Sequence, residues 1–136
     1  MFLLDTNIIS ETRRIRPHGG VLAWIGAQNE ATLFISAVSA GEIQAGIEVT
    51  RARDNERADA LEIWLEEVLA AFRILPMDAA AFRTWAKLKY GRSSAIYDDA
   101  MIAAAALRHG LTVATRNIRD FAGFGVKLVN PFDYRG

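Results

Sequence analysis

Acidic residues follow apolar segments at several separated points of this sequence. The chain opens MFLLDTNIIS, in which three apolar residues run directly into Asp5. Glu42 lies on the segment after a second apolar run, LFIS, and Asp98 and Asp99 open the segment DDAMIAAAALRHG. Asp120 lies in TRNIRDF, after the apolar stretch LTVA. These carboxylates can act together on a metal ion only if the fold gathers them at one place.

The first two acids also have a structural explanation in the helices beside them. Asp5 is a favoured N-cap for a helix that begins at Thr6 or Asn7. Ser39 and Glu42 have the Ser-x-x-Glu form of a capping box, in which the glutamate reaches back to the serine amide. Taken alone, Asp5 fits capping and chemistry equally well, whereas Glu42 fits the structural role better.

The later acids have comparable structural explanations. Asp98 and Asp99 begin a helix, where the helix dipole favours negative charge. Successive helical residues point about 100° apart, so these two side chains do not face one site equally. Asn117 could cap a one-turn helix that has Asp120 at its third position. Each explanation is sound by itself, but none accounts for acids that converge.

The predicted positions of the acids imply such a convergence at one edge of a sheet. Two unit charges about 4 Å apart repel by about 4 kcal/mol at an effective dielectric constant near 20. Packing alone does not offset repulsion among three or four carboxylates. The usual solution is a hard divalent cation with oxygen ligands, Mg²⁺ or Mn²⁺. Phosphodiester hydrolysis is the chemistry that most often uses this arrangement.

The elements that position these acids alternate between short strands and longer helices. This pattern predicts an α/β fold with a short, mainly parallel central sheet flanked by helices. Functional residues in such sheets lie outside the carboxyl ends of the strands, where Asp5 and the segment TRN at 115–117 fall. The predicted strands are 2–5, 33–36, 73–75, 111–115 and 127–129. The predicted helices are 6–11, one with Pro17 in its first turn, one from Ser39 or Ala40, 54–72, one from Asp78 to about Gly91, and one from Tyr97 or Asp98 to Gly110.

Composition narrows the class of protein. A length of 136 residues predicts a single domain over 1–136. The net charge of zero argues against a broad basic surface but leaves nucleic acid open as a substrate, because a bound cation supplies local positive charge. The absence of cysteine and the unrelated positions of His18 and His109 disfavour a zinc site. No membrane span or secretory signal is found in the sequence, so a cytoplasmic location is expected.

Several motifs together resemble the PIN-domain nucleases, and among them the VapC-type toxins of bacterial toxin–antitoxin pairs. The motifs are DTNIIS, SAVSAGEIQAG, DAMIAAAALRHG, LTVATRNIRDF and VNPFDY, which span nearly the whole chain. The resemblance implies a PIN-like three-layer fold and a metal site formed by Asp5, Glu42 and Asp99. It selects Asp99 over Asp98, because only the frame starting at Asp99 gives the D-x-x-I-A-A pattern.

One position departs from the pattern of the family. Many members have a fourth acid directly after the T-x motif of the fourth strand, where this chain has Asn117. The resemblance leaves open whether Asn117 or Asp120 completes the site. Thr6, Asn7 and Thr115 are expected to orient the carboxylates or a water molecule.

The activity that the resemblance implies is that of a metal-dependent endoribonuclease acting with Mg²⁺ or Mn²⁺. A metal-activated water would hydrolyse an RNA phosphodiester bond. The resemblance also implies a homodimer and a small antitoxin protein that covers the active site. Exposed basic residues near the predicted site are candidates for contacts with the RNA backbone, although a solvated loop explains them equally well. They are Arg13, Arg14 and Arg16, and with the same caution Lys87, Lys89 and Arg92.

Two other classes of protein remain as alternatives. A Mg²⁺-binding phospho-acceptor signalling domain is also α/β, but its acceptor Asp normally ends a middle strand, and the segment RILP supplies no acid before Asp78. The second alternative is a catalytically weak PIN-like protein that acts only through its antitoxin partner. An asparagine at position 117, where many family members have an acid, favours this alternative. Only an enzyme should lose its effect when Asp99→Asn leaves folding and partner binding intact.

Overall fold

A parallel five-stranded sheet forms the centre of the molecule in the computed structural model, which describes residues 1–136. The order of the strands across the sheet is β3-β2-β1-β4-β5, and every neighbouring pair is parallel. The α/β class and the flanked central sheet predicted from the sequence are therefore confirmed, and the sheet is entirely parallel. The strands are β1 (Phe2–Leu4), β2 (Leu33–Ser36), β3 (Arg73–Leu75), β4 (Thr112–Ala114) and β5 (Leu128–Val129).

Seven α-helices follow or connect these strands, together with four short 3₁₀ turns. The helices are α1 (Thr6–Glu11), α2 (Gly19–Ala27), α3 (Ala37–Arg51), α4 (Asn55–Ala71), α5 (Ala79–Lys89), α6 (Tyr97–His109) and α7 (Ile118–Phe121). The 3₁₀ turns are Glu30–Thr32, Ser94–Ile96, Ala122–Phe124 and Pro131–Asp133. Helix α6 ends at Gly110, whose positive φ of 67° favours glycine, as the sequence predicted.

Alternation along the central strand separates two hydrophobic cores. Leu3 and Leu4 are both fully buried and belong to different clusters, because successive strand residues point to opposite faces. On one face, Leu3 packs with the alanine-rich side of α6 and with Phe121. On the other face, Leu4 packs with Ile8 of α1 and with residues of α2 and α4. The sheet thus lies between two layers of helices.

The parallel register brings the carboxyl ends of three strands to the same edge. Leu4 of β1 is level with Ile35 of β2 and Ala114 of β4. The ladder continues one step further, since the amide of Asp5 donates a hydrogen bond of 2.9 Å to the carbonyl of Ala114. Residues directly after these strands therefore lie side by side at one edge of the sheet.

Two helix starts differ from the sequence predictions. Helix α3 begins at Ala37, with Ser36 as its N-cap, so Ser39 lies inside the helix and the predicted capping box is wrong. The Ser36 hydroxyl accepts a hydrogen bond of 3.1 Å from the amide of Val38. Pro17 precedes α2 instead of lying in its first turn, because His18 is the N-cap. A polar cap nearer the strand end replaces the predicted cap of α3.

None of the helices is long and apolar enough to span a membrane.

Candidate active site

Asp5 is a buried carboxylate that occupies the end of the central strand. Only 4% of its surface is exposed. Its Oδ1 accepts a hydrogen bond of 2.8 Å from the amide of Thr6, so it caps α1 as one sequence hypothesis proposed. Its Oδ2 accepts hydrogen bonds from Thr115 Oγ1 at 2.8 Å and from Asn7 Nδ2 at 3.0 Å. Burial raises the pKa of Asp5, although these three hydrogen bonds act to lower it.

Glu42 points toward Asp5 from the second turn of α3. Its Oε1 lies 3.0 Å from the hydroxyl of Thr6, which donates a hydrogen bond to it. The same hydroxyl lies 3.0 Å from Ser39 Oγ, one turn earlier on α3. Thr6 therefore links the helix after the first strand to the helix after the second strand.

The pKa of Glu42 is raised to about 7, chiefly because the carboxyl group is desolvated. The hydrogen bond from Thr6 opposes this shift, while the negative charges of Asp98, Asp5 and Asp99 add to it. Glu42 is thus a partly buried acid that is electrostatically coupled to the acids of other elements, which a capping role would not produce.

Asp99 lies in the first turn of α6 and is half-buried, whereas its neighbour Asp98 is exposed. Desolvation raises the pKa of Asp99 to about 6, and the negative charges of Asp5, Asp120 and Asp98 contribute to the shift. Asp99 is thus more buried than Asp98, which agrees with its selection as the site residue. Asp98 still adds to the local negative charge.

Asp120 acts on the site through its charge, whereas Asn117 carries none. Asp120 is exposed on α7, and its charge raises the pKa values of both Asp5 and Asp99. Asn117 precedes α7 without a side-chain cap, which removes the capping role considered for it. The backbone amide of Asn117 donates a hydrogen bond of 2.9 Å to Thr115 Oγ1. We call Asp5, Glu42, Asp99 and Asp120 the acid cluster.

A network of hydrogen bonds holds the Asp5 carboxylate of the acid cluster in place. Thr115 is fully buried, and its hydroxyl joins Asp5 to the amide of Asn117. Asn7 donates to Asp5 through its amide nitrogen and accepts a hydrogen bond of 3.2 Å from the amide of Arg116. Thr6, Asn7 and Thr115 thus lie where the sequence expected orienting groups. Ser39 was not expected there, although its spacing of three from Glu42 places both on one helix face.

The basic candidates lie in three different settings. Exposed arginines of the loop after α1, including Arg13 and Arg14, face solvent. Lys87 is exposed on α5, whereas the Lys89 ammonium lies 4.8 Å from the ring centroids of both Trp85 and Tyr97. The remaining candidate also has a structural role, because the guanidinium of Arg92 donates a hydrogen bond of 2.8 Å to the carbonyl of Gly123 and lies 4.8 Å from the ring centroid of Phe124.

The donor set of the cluster fits a hard divalent cation in chemistry and charge. All its donors are carboxylate oxygens, which Mg²⁺ and Mn²⁺ prefer. No lysine or arginine neutralises them, because the salt bridges of the chain involve only Arg14 and Arg51. No three acidic or histidine side chains are arranged to hold an ion as they stand. Binding of one ion by three of these acids would therefore require side-chain rotation.

A model of the PIN-domain family matches residues 2–126 of this chain. The match includes strands β1 to β4 and all four acids of the acid cluster. The chain therefore belongs to the PIN-domain family, as its motifs indicated.

Similar full-length relatives are found among bacterial proteins. The chain is 39% identical over 140 residues to the plasmid stability protein StbB of Pseudomonas syringae pv. tomato, covering 98% of this chain and 99% of that protein. The VapC ribonuclease Y4jK of Sinorhizobium fredii has the same identity, length of match and coverage. Toxin FitB of Neisseria gonorrhoeae is 36% identical over 141 residues, covering 97% of this chain and 99% of the toxin.

Solved structures agree with these relatives. A chain of the FitAcB structure from Neisseria gonorrhoeae superposes with a TM-score of 0.86 at 33% identity, covering 98% of this chain and 99% of that one. The structure of FitAB bound to an IR36 DNA fragment gives a TM-score of 0.85 at 31% identity, with coverage of 100% and 99%. The similarity extends over essentially the whole fold.

Proposed function

We propose that this chain is a metal-dependent endoribonuclease that acts as the toxin of a toxin–antitoxin pair. The observation that carries the proposal is the convergence of Asp5, Glu42 and Asp99 from three elements, without a cationic side chain to neutralise them. The relatives support the same activity, because one is named a VapC ribonuclease and another a toxin. RNA is accordingly the proposed substrate, and phosphodiester hydrolysis the proposed reaction.

Asp5, Glu42 and Asp99 would hold Mg²⁺ or Mn²⁺, and Asp120, whose charge acts on both Asp5 and Asp99, is the proposed fourth acid. A bound ion of this kind binds phosphate oxygens and lowers the pKa of water. The residues of the chain contribute orientation. Three hydrogen bonds fix the Asp5 carboxylate, and the Thr6 hydroxyl fixes Glu42. In the metal-free chain the pKa of Glu42 is raised to about 7, and the cation would bind the deprotonated carboxylate.

The proposal includes a protein partner. FitB is part of the FitAB and FitAcB structures, and further similar structures are toxin–antitoxin complexes. We propose that this chain likewise binds a small antitoxin that covers the acid cluster, and that it forms a homodimer. Co-expression with the candidate antitoxin and a measurement of mass in solution would test both statements.

The direct test is cleavage of a mixed cellular RNA pool by purified protein free of antitoxin. Reactions would contain Mg²⁺, Mn²⁺ or EDTA, with Asp5→Asn and Asp99→Asn beside the unaltered chain. We expect cleavage with metal, none in EDTA, and at least a hundredfold loss in either variant, on the order of the contribution of one positioned catalytic group. Asp133→Asn is the matched control, since Asp133 is an exposed acid outside the cluster.

Two results would contradict the proposal in different ways. RNA that stays intact while metal and antitoxin both bind would identify a PIN-like protein that acts only through its partner. Cleavage that persists in both folded variants would show that the active site lies elsewhere. Circular dichroism of each variant separates loss of activity from loss of fold.

A further inference from the structure

Four arginines surround one open cavity beside the acid cluster. Arg13, Arg14 and Arg16 come from the loop between α1 and α2, and Arg57 comes from the first turn of α4. The cavity has a volume of about 660 Å³. The sequence separates Arg57 from the loop by some forty positions, so only the fold brings the four together. We call these residues the arginine surface.

Folding alone gives little reason for this arrangement. The guanidinium groups of Arg13, Arg16 and Arg57 form no salt bridge, since the salt bridges of the chain involve only Arg14 and Arg51. All four arginines are exposed, so their mutual repulsion is weak, on the order of 1 kcal/mol at 4 Å in water. Arg14 alone pairs with an acid, Glu11. Like charges that converge around one cavity form a ready site for an anion.

A buried carboxylate fixes the loop that carries three of these arginines. Glu11 ends α1 and is only 6% exposed. Its Oε1 accepts a hydrogen bond of 2.8 Å from the amide of His18, which lies beyond the loop. Its Oε2 lies 3.4 Å from Nε of Arg14. Glu11 thus joins both ends of the loop, so the arginines project from a held backbone.

A second cavity connects the arginine surface with the acid cluster. This groove has a volume of about 330 Å³. Thr6, Glu42 and Arg13 line it together with apolar side chains of α3 and α4, among them Ile43 and Trp64. Arg13 lines both cavities. The groove is also lined by Gly46 of α3, where an added Cβ would meet no atom within 4 Å. Arg13 therefore borders both the arginine surface and the groove that reaches Glu42.

We propose that the arginine surface binds the phosphate backbone of the RNA strand on one side of the bond that is cut. This inference rests on the proposed function. The groove favours RNA over an acidic peptide, because it leads to carboxylates that repel a second carboxylate but that would hold the cation needed by a phosphate. Contacts with phosphates position a strand without reading its sequence, so Arg13 and Arg57 set affinity and register.

The test measures binding of a fluorescent single-stranded oligouridine by anisotropy. Asp99→Asn protein is used throughout, so that cleavage does not consume the probe. We expect Arg13→Ala and Arg57→Ala each to raise the Kd about tenfold, the loss of one charge-assisted contact. Each should also reduce the slope of log Kd against log salt concentration by about 0.7, the value for one phosphate contact on a single strand. Arg13→Lys and Arg57→Lys should restore most of both quantities.

The matched control is Arg108→Ala. Arg108 is an exposed arginine in the last turn of α6, at the end of the helix opposite to Asp99. Its loss changes net charge by the same amount but should leave both the Kd and the salt slope nearly unchanged. A uniform effect of all three alanine variants would indicate general electrostatic attraction and would overturn the inference.

A steric variant tests the groove independently of charge. Gly46→Leu adds a side chain to a residue that lines the groove, at a position where an added Cβ meets no atom within 4 Å, so we expect it to narrow the groove. Circular dichroism checks that the variant is folded. We expect it to raise the Kd for oligouridine severalfold and to slow cleavage in the otherwise unaltered chain, whereas Gly46→Ala should have a small effect. Equal binding by Gly46→Leu would show that the strand takes another path.

The outcomes separate this inference from the proposed function. If the unaltered chain cleaves RNA while the arginine variants bind normally, the arginine surface has no role in RNA binding and the nuclease proposal stands. If the variants lose binding to polyglutamate but not to oligouridine, the surface belongs to an acidic protein segment and the inference is wrong. If no RNA is cleaved but the variants lose oligouridine binding with the expected salt slopes, only the nuclease proposal fails.

Discussion

Single residues at this site have structural and chemical roles at the same time. Asp5 caps α1 and also lies at the centre of the acid cluster. Thr115 shows the same combination, because its hydroxyl both donates to Asp5 and accepts from the backbone amide of Asn117. Deciding between a cap and a ligand from one residue alone is therefore not possible, whereas the partners on other elements distinguish them.

Replacing Thr115 by valine should measure how strongly the buried network supports Asp5. Valine keeps the shape of the side chain but removes the hydroxyl, which leaves Asp5 and the amide of Asn117 each without one partner. We expect the free energy of unfolding at pH 7 to fall by about 2 kcal/mol, because the lost hydrogen bond involves a charged group. Urea denaturation provides the measurement.

Thr112→Val is the control for this substitution. Thr112 is the first residue of β4, the strand that Thr115 directly follows, but it is not part of the network around Asp5. Its replacement should change the free energy of unfolding by less than about 0.5 kcal/mol. Equal effects of the two substitutions would mean that the loss reflects strand packing and not the Asp5 network.

At the scale of elements, the sequence predicted what local patterns determine. The apolar run before Asp5 and the alanine-rich segment after Asp99 gave the central strand and the buried helix correctly. The predicted start of α3 at Ser39 or Ala40 was wrong, because serine is a favoured cap at both 36 and 39. Only the position of the end of β2 decides between the two serines. Arg57 could not be predicted, because it reaches the other arginines through the packing of α4 and not through any sequence pattern.

The cap of α3 can be tested directly. Ser36→Ala removes the side chain that accepts the hydrogen bond from Val38, so the free energy of unfolding should fall by about 1 kcal/mol. Ser93→Ala, which removes the cap of an exposed 3₁₀ turn, should cost less. Unchanged stability of Ser36→Ala in urea denaturation would show that the Ser36 side chain does not stabilise the start of α3.

At the scale of the whole molecule, a net charge of zero conceals separated charges. Acids gather at the carboxyl ends of β1 and β4 and at the N-terminus of α6, whereas the arginine surface lies on the loop after α1 and the first turn of α4. The parallel sheet produces the first of these groupings, since it delivers the residues after each strand to one edge. Without a cation, the gathered acids destabilise the fold when they are deprotonated, so the free energy of unfolding should depend on pH.

The stability of the metal-free protein should fall as the pH rises from about 4 to 7. Glu42 has an ordinary pKa of 4.5 that rises to about 7 in the fold, and Asp99 has an ordinary pKa of 3.8 that rises to about 6. The folded state therefore binds these protons more tightly than the unfolded state, so their stabilising contribution is complete below the unfolded values and is lost through the folded ones. The loss is on the order of 1 kcal/mol, because both groups are only half-buried and solvent screens the effect.

Melting temperatures measured in EDTA and in Mn²⁺ between pH 5 and pH 8 would test this relation. We expect the melting temperature in EDTA to fall across this range and the increase produced by Mn²⁺ to grow, because the ion binds deprotonated carboxylates of the folded state. The double variant Glu42→Gln, Asp99→Asn should show a flatter profile in EDTA and little response to Mn²⁺. A melting temperature in EDTA that is the same in both proteins at every pH would contradict the view that the deprotonated forms of Glu42 and Asp99, which are desolvated and repelled by neighbouring acids, destabilise the metal-free fold.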